Sequence, residues 1–254
     1  MPPSVSMAER TIILCRDSEE LNQKAAERFV ASADRAANST GRFTVALSGG
    51  STPKGLYALL ASPAYSPRVS WNQVHLFWGD ERCVPPDHPD SNYRMAHESL
   101  ISRIAIPAAN VHRMCGEIEP GVAAAEYERM LKEFFFLPEG APPRFDLILL
   151  GLGEDGHTAS MFPGSAALDE KKCLVAAPYI EKFKAHRLTL TLPVLNHGAD
   201  VVFLVAGQSK AAVVKEILGK KTDSPVLPAA RVTPLDGHLT WLITRDAATA
   251  LVEP

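Results

Sequence analysis

Six short apolar runs, at 11–15 (TIILC), 43–47 (FTVAL), 74–78 (VHLFW), 145–150 (FDLILL), 201–206 (VVFLVA) and 239–244 (LTWLIT), are separated by segments with helical signals. A strand that is apolar along its whole length has no face to give to water, so it must be covered on both sides. Such strands alternating with helices predict a three-layer α/β architecture: a mostly parallel open sheet, Rossmann-like, with helices on both faces. Asp17 and Glu20 form a capping box ahead of a helix that carries Leu21, Ala25 and Phe29 on one face. Another helix is expected from about Ser91, a further one ends near Leu218, and a short one should follow the strand at 239–244. The stretch 171–196 differs, because RLTLTLP at 187–193 alternates polar and apolar residues. It leaves room for an antiparallel excursion at the sheet edge.

Composition excludes several function classes. With 254 residues, 46% hydrophobic and 22% charged, the chain falls in the ordinary globular range. No repeat, low-complexity tract or long linker divides it, so residues 11–254 are expected to form one domain behind a disordered segment of residues 1–10. The net charge is -3 and no block of Lys and Arg occurs, which argues against a nucleic-acid partner. The longest apolar run, 145–152, contains Asp146 and Gly151 and falls far short of the ~20 residues that cross a bilayer. The N-terminus has no basic stretch followed by an apolar one, so a cytoplasmic location is expected. Cys15, Cys83, Cys115 and Cys173 are scattered, with no C-x-x-C pair and no zinc-site spacing, and read as reduced thiols. Cys83, although it follows a functional-looking segment, reads as a bystander. A monomer is expected.

In an open α/β sheet, ligands bind beyond the carboxyl ends of the strands, where the order of connections reverses. Four segments combining glycine with polar residues fall directly after expected strands: SGGSTP (48–53), GDER (79–82), GEDGHTAS (153–160) and GQSK (207–210). One site assembled from all four is the economical reading. In SGGSTP, Thr52 is the expected N-cap of a helix and Pro53 its first residue. The amides exposed there suit a phosphate, although the same glycines also suit a sharp turn with no ligand. The spacing of a Walker loop is absent. GLGEDG at 151–156 matches G-x-G-x-x-G, yet its two carboxylates would repel a pyrophosphate, so no dinucleotide is expected. Asp155 and His157 stand together beside this turn. A carboxylate can orient an imidazole that serves as a neutral general base. Arg82 in GDER could stabilise a developing oxyanion, and Lys210 at a helix start is a second phosphate anchor.

Taken together, VALSGGSTPKGLYALLA, LFWGDERCVPPDHPDSNYRMA, FDLILLGLGEDGHTASMFPGS, RLTLTLPVLN and VFLVAGQSKAAVVKEIL resemble the 6-phosphogluconolactonase family over nearly the whole chain. Single motifs are shared with glucosamine-6-phosphate deaminases and with sugar-phosphate sensors of transcriptional regulators. The resemblance implies hydrolysis of 6-phospho-D-glucono-1,5-lactone to 6-phospho-D-gluconate, the second step of the oxidative pentose phosphate pathway, with no metal or organic cofactor. By the same resemblance, His157 would activate water and Arg82 would contact the substrate near the lactone. Asp80 and Asp155 would position water, His157 or sugar hydroxyls, and Gly49, Gly50, Ser51, Thr52 and Lys210 would bind the phosphate, with Arg187 as a further contributor. The deaminase pattern places a catalytic Glu five residues after the His, where this chain has Phe162. The sensor reading lacks room for a DNA-binding module, since only ten residues precede the first expected strand.

Overall fold

The computed structural model describes residues 10–219 and 227–251. The disorder expected of residues 1–10 therefore lies outside the described residues, except that Arg10 opens the first strand. The elements run β1 (Arg10–Cys15), α1 (Ser18–Thr40), β2 (Phe43–Leu47), α2 (Ser51–Leu60), β3 (Val74–Trp78), β4 (Asp80–Arg82), α3 (Asn92–Ser99), α4 (Pro120–Phe135) and β5 (Leu147–Leu150). They continue with β6 (Val175–Ala176), β7 (Tyr179–Ile180), β8 (Ala185–Leu190), α5 (Leu192–Leu195), β9 (Asp200–Val205), α6 (Ala211–Leu218) and β10 (His238–Thr244).

All six apolar runs meet in one parallel sheet of order β1-β10-β9-β5-β2-β3. The three strands at its centre, β9, β5 and β2, are buried along their full length, as strands without a polar face must be. From β1 the chain crosses to β2 and then β3, moving one way along the sheet; after that it returns through β5, β9 and β10 in the opposite direction. Because parallel crossovers are right-handed, this reversal puts α1 and α2 on one face and the later crossover helices on the other. α1 and α2 accordingly pack together. The reversal falls between the neighbours β2 and β5, which makes the carboxyl end of that pair the natural site of a crevice.

Some expectations need correction. RLTLTLP does form an antiparallel excursion, but in a separate small sheet of order β4-β8-β6, with β7 also on β8, rather than on the edge of the main sheet. GDER, expected as a loop, supplies strand β4 of that sheet, because the Gly79 carbonyl already accepts from Leu190 N at 2.8 Å and starts the ladder. The chain after β10 makes turns through 245–251 instead of a helix. Helix α4 has no counterpart in the sequence reading, although Pro120 at its first position and buried Ala123, Tyr127 and Leu131 at four-residue spacing were legible signals. The capping box at α1 is shifted by one residue on its return arm. Asp17 Oδ1 accepts from Glu20 N at 2.9 Å, while the Glu20 carboxylate reaches Arg16 N at 2.8 Å instead of the cap residue.

Two buried tyrosines fix the strand ends that carry the motifs. Where β2 stops, the Tyr57 hydroxyl accepts from Ser48 N at 3.0 Å and donates to Ser48 O at 2.8 Å. Where β3 ends, the Tyr127 hydroxyl accepts from Trp78 N at 3.0 Å and lies 3.2 Å from His112 O. Burial raises both phenols well above their ordinary pKa, so they stay protonated and able to donate. Tyr57→Phe strands a buried N–H and C=O, and is expected to cost about 1–3 kcal/mol. In a chain of this length that corresponds to a fall in Tm of roughly 2–12 °C. An unchanged melting curve would mean that Ser48 is held by other contacts.

Candidate active site

A crevice of about 340 Å³ opens at the carboxyl ends of β2, β5 and β9 and is walled on one side by the small sheet. Gly49, Gly50, Ser51, Thr52, Asp80, Arg82, His157, Arg187 and Lys210 all line it. Asp155 does not line the crevice but stands behind His157, with Oδ1 2.5 Å from Nδ1. All four motif segments thus converge on one place.

With Asp155 ionised, the proton of that short hydrogen bond belongs on Nδ1, which leaves the lone pair on Nε2. No described residue hydrogen-bonds Nε2, and the ring borders the crevice. Partial burial by itself would push the Asp155 carboxyl up, but the hydrogen bond and charge of His157, together with Lys182 Nζ at 3.2 Å from Oδ2, hold it at about 2. The glycines of GLGEDG serve this pair. A Cβ on Gly153 would stand 2.0 Å from His157 Nδ1 and 2.7 Å from Asp155 Oδ1, so the imidazole occupies the space of the missing side chain. Gly156 turns the chain at φ 77. The motif that mimics a dinucleotide fingerprint is instead the seat of a histidine. On its other side the imidazole stacks on Phe162, with ring centres 4.0 Å apart and planes 25° apart.

The SGGSTP segment starts α2 two residues earlier than expected. Gly50, at φ 105, is the N-cap in place of Thr52, and Ser51 is the first helical residue. No side chain caps this terminus, so the amides of its first turn remain available to an anion. Lys210 is the N-cap of α6, and its Nζ is 3.8 Å from Glu154 Oε1, a loose pairing that leaves the ammonium available to a ligand. Gly49 admits no side chain, because its Cβ would stand 1.9 Å from Asn92 Oδ1.

Arg82 on β4 and Arg187 on β8 are direct cross-strand partners. Like charges so placed repel. Burial first, then the neighbouring Arg82, lower the pKa of the Arg187 guanidinium. Both residues line the crevice. Arg82 is steadied by a 2.5 Å hydrogen bond to Asp90 O. On the same strand as Arg82, Asp80 is buried and fully engaged: Ser160 Oγ donates to Oδ2 at 2.7 Å and Asn92 Nδ2 to its carbonyl at 2.9 Å and to Oδ1 at 3.3 Å. Glu81, 2% exposed, accepts from the backbone N–H of Arg82, Asn92 and Tyr93, each at 2.7 Å, and from Ser91 Oγ at 3.1 Å. Burial pushes this carboxyl up, and those donors oppose the shift. Sequence reasoning did not single out Glu81, Asn92 or Ser160. The only signal was their presence inside the quoted motifs, since nothing local marks a residue whose partners lie on another loop.

Residues 16–241 match the family model described as glucosamine-6-phosphate isomerases/6-phosphogluconolactonase. The chain belongs to this family. Among members of the isomerase/lactonase family, it is 38% identical over 244 residues to a 6-phosphogluconolactonase of Nostoc sp., covering 96% of this chain and 99% of the other. It is 45% identical over 212 residues to a 6-phosphogluconolactonase of Synechocystis sp., covering 83% and 85%. The solved structure of 6-phosphogluconolactonase from Trypanosoma brucei superposes with a TM-score of 0.85 at 30% identity, over 96% of this chain and 100% of that one. A monomeric glucosamine-6-phosphate deaminase shares the fold, with a TM-score of 0.80 at 21% identity.

Gly153→Ala tests the seat of the histidine. The variant should keep its circular dichroism but lose the low-field imidazole Nδ1 proton resonance that a short hydrogen bond to a carboxylate produces. Persistence of that resonance would show that the loop can absorb the added methyl group.

Proposed function

We propose that this protein hydrolyses 6-phospho-D-glucono-1,5-lactone to 6-phospho-D-gluconate, the second step of the oxidative pentose phosphate pathway, and that residues 11–254 act as one catalytic domain. The observation that carries the reading is a histidine with its Nδ1 engaged by a carboxylate and its Nε2 open to a crevice that also holds two arginines, a lysine and an uncapped helix N-terminus. Such a site matches a substrate with a phosphate at one end and an activated ester at the other.

The chemistry follows from the positions. Nε2 of His157 removes a proton from water as the water oxygen bonds to C1 of the lactone. Charge develops on the former carbonyl oxygen, where a guanidinium already in place, assigned to Arg82, stabilises it without reorganisation. As the C1–O5 bond breaks, the imidazolium returns its proton to O5, and the ring opens to the hydroxy acid, which ionises. Asp155 keeps the imidazole in the required tautomer, and Asp80 positions the Ser160 and Asn92 side chains that border the crevice. The phosphate is assigned to the first turn of α2, with Gly49, Gly50, Ser51 and Thr52, and to Lys210; Arg187 contributes from the small sheet. The step is complete with side chains and water. The four cysteines are unpaired, which supports a reducing, cytoplasmic location. No helix among the described residues is long and apolar enough to cross a membrane.

Lactone consumption, corrected for spontaneous hydrolysis, should be strongly accelerated by the protein, and glucosamine 6-phosphate should release no ammonia. The opposite pattern would replace the reading with the isomerase one. His157→Ala should lower kcat by about 10²–10⁴-fold in a folded protein; a near-normal kcat would reject the base assignment. Lys210→Ala should cost the phosphorylated lactone about 10- to 150-fold in kcat/KM, the equivalent of roughly 1.5–3 kcal/mol for a hydrogen bond to a charged group. Turnover of unphosphorylated gluconolactone should barely change. Equal losses on both substrates would move the phosphate site to Arg82 and Arg187.

A further inference from the structure

The turn between β7 and β8 belongs to none of the four glycine-containing segments, yet two of its consecutive side chains reach both groups that hold His157. Lys182 Nζ lies 3.2 Å from Asp155 Oδ2, the oxygen that the imidazole ring does not use. Phe183 packs edge-on against Phe162, with ring centres 5.6 Å apart and planes at 71°. Phe162 is the ring on which His157 stacks. The turn itself is pinned. β7 pairs with β8 across it, and Lys184 adopts a left-handed conformation at φ 49 with its N–H bonded to Glu181 O at 3.2 Å. The Arg187 guanidinium lies 5.0 Å from the centre of the Phe183 ring.

We propose that this turn is a clamp for the general base: Lys182 holds and partly neutralises Asp155, while Phe183 backs the ring against which the imidazole rests. Lys182 and Phe183 are thus positioning residues, through which the small sheet sets the orientation of His157. The inference rests on the reading of His157 as the base. A carboxylate beside an imidazole favours the imidazolium, and an ammonium on the far oxygen of that carboxylate opposes this. Other charges around the crevice are Asp80 and Arg82 from β4, Arg187 from β8, and Glu154 with Lys210. Glu181 flanks Lys182 on the turn. Among the described residues, Lys182 is the cation that bonds Asp155. Its side chain is 62% exposed, so solvent and salt screen its effect, and a modest shift is expected.

The test is the pH profile of kcat and kcat/KM for hydrolysis of 6-phospho-D-glucono-1,5-lactone by the full chain, in wild type, Lys182→Met and Lys182→Arg. Lys182→Met should move the acid limb of kcat/KM to higher pH by about 0.3–0.8 unit. The displacement should shrink as salt is raised, and Lys182→Arg should restore the wild-type profile. Phe183→Leu, which keeps bulk but removes the ring, should lower kcat by a larger factor than it changes KM. An acid limb present in wild type and unmoved in Lys182→Met, at low and high salt alike, would overturn the clamp while leaving the base assignment standing. A wild-type profile with no acid limb would instead remove the base reading itself.

Discussion

A buried carboxylate must find donors or give up its charge, and the residues that satisfy Glu81 and Asp80 are the ones that draw the separate loops into a single site. Glu81 takes its hydrogen bonds from the start of α3, so β4 cannot slide against that helix. Asn92, fixed by this, reaches back to Asp80 and lies over Gly49 of the loop after β2. Asp80 takes a hydrogen bond from Ser160 in the loop after β5, and Ser160 N in turn bonds to Thr189 Oγ1 on β8 at 3.2 Å. Five chain segments, β4, the start of α3, the loops after β2 and β5, and β8, are thereby held to one another by hydrogen bonds and close packing. Such a network holds only as a whole, because each lost link leaves a second buried group without a partner.

The fold was legible because its signal is repeated. Six apolar runs, each too short and too apolar for anything but a covered strand, determine a parallel sheet before any single boundary is known. Val45 and Leu76 lie side by side in that sheet as members of two such runs. What escaped notice depended on contacts that no local pattern encodes. GDER is too short and too charged to read as a strand, and becomes β4 only because Leu190 and Thr189 stand opposite it. Thr52 has the chemistry of an N-cap, yet Gly50 takes that place, and its positive φ lets the chain enter the first turn at Ser51 directly.

The site residues divide in the same way. Those that line the crevice, His157, Arg82 and Lys210 among them, were visible because polar groups after strand ends are where an open α/β sheet places a site. Phe162 was noticed in the sequence only as a departure from another pattern. Its place against the imidazole became evident once the loop after β5 was folded. Lys182 and Phe183 carried no mark at all, since their importance comes from the hairpin that brings them across to that loop.

The facing arginines on β4 and β8 have a thermodynamic consequence. Two like charges on directly paired residues are a source of tension, and the antiparallel pairing around them must outweigh it. On the proposed reading, an anionic substrate held by both would relieve the repulsion, and binding and folding would then be linked through the same two side chains. Selection for stability alone would favour replacing one arginine with a neutral residue, and the crevice would lose charge in the same stroke. On that reading, part of the chain's stability is forgone to keep positive charge at the crevice, and a bound anion would restore it.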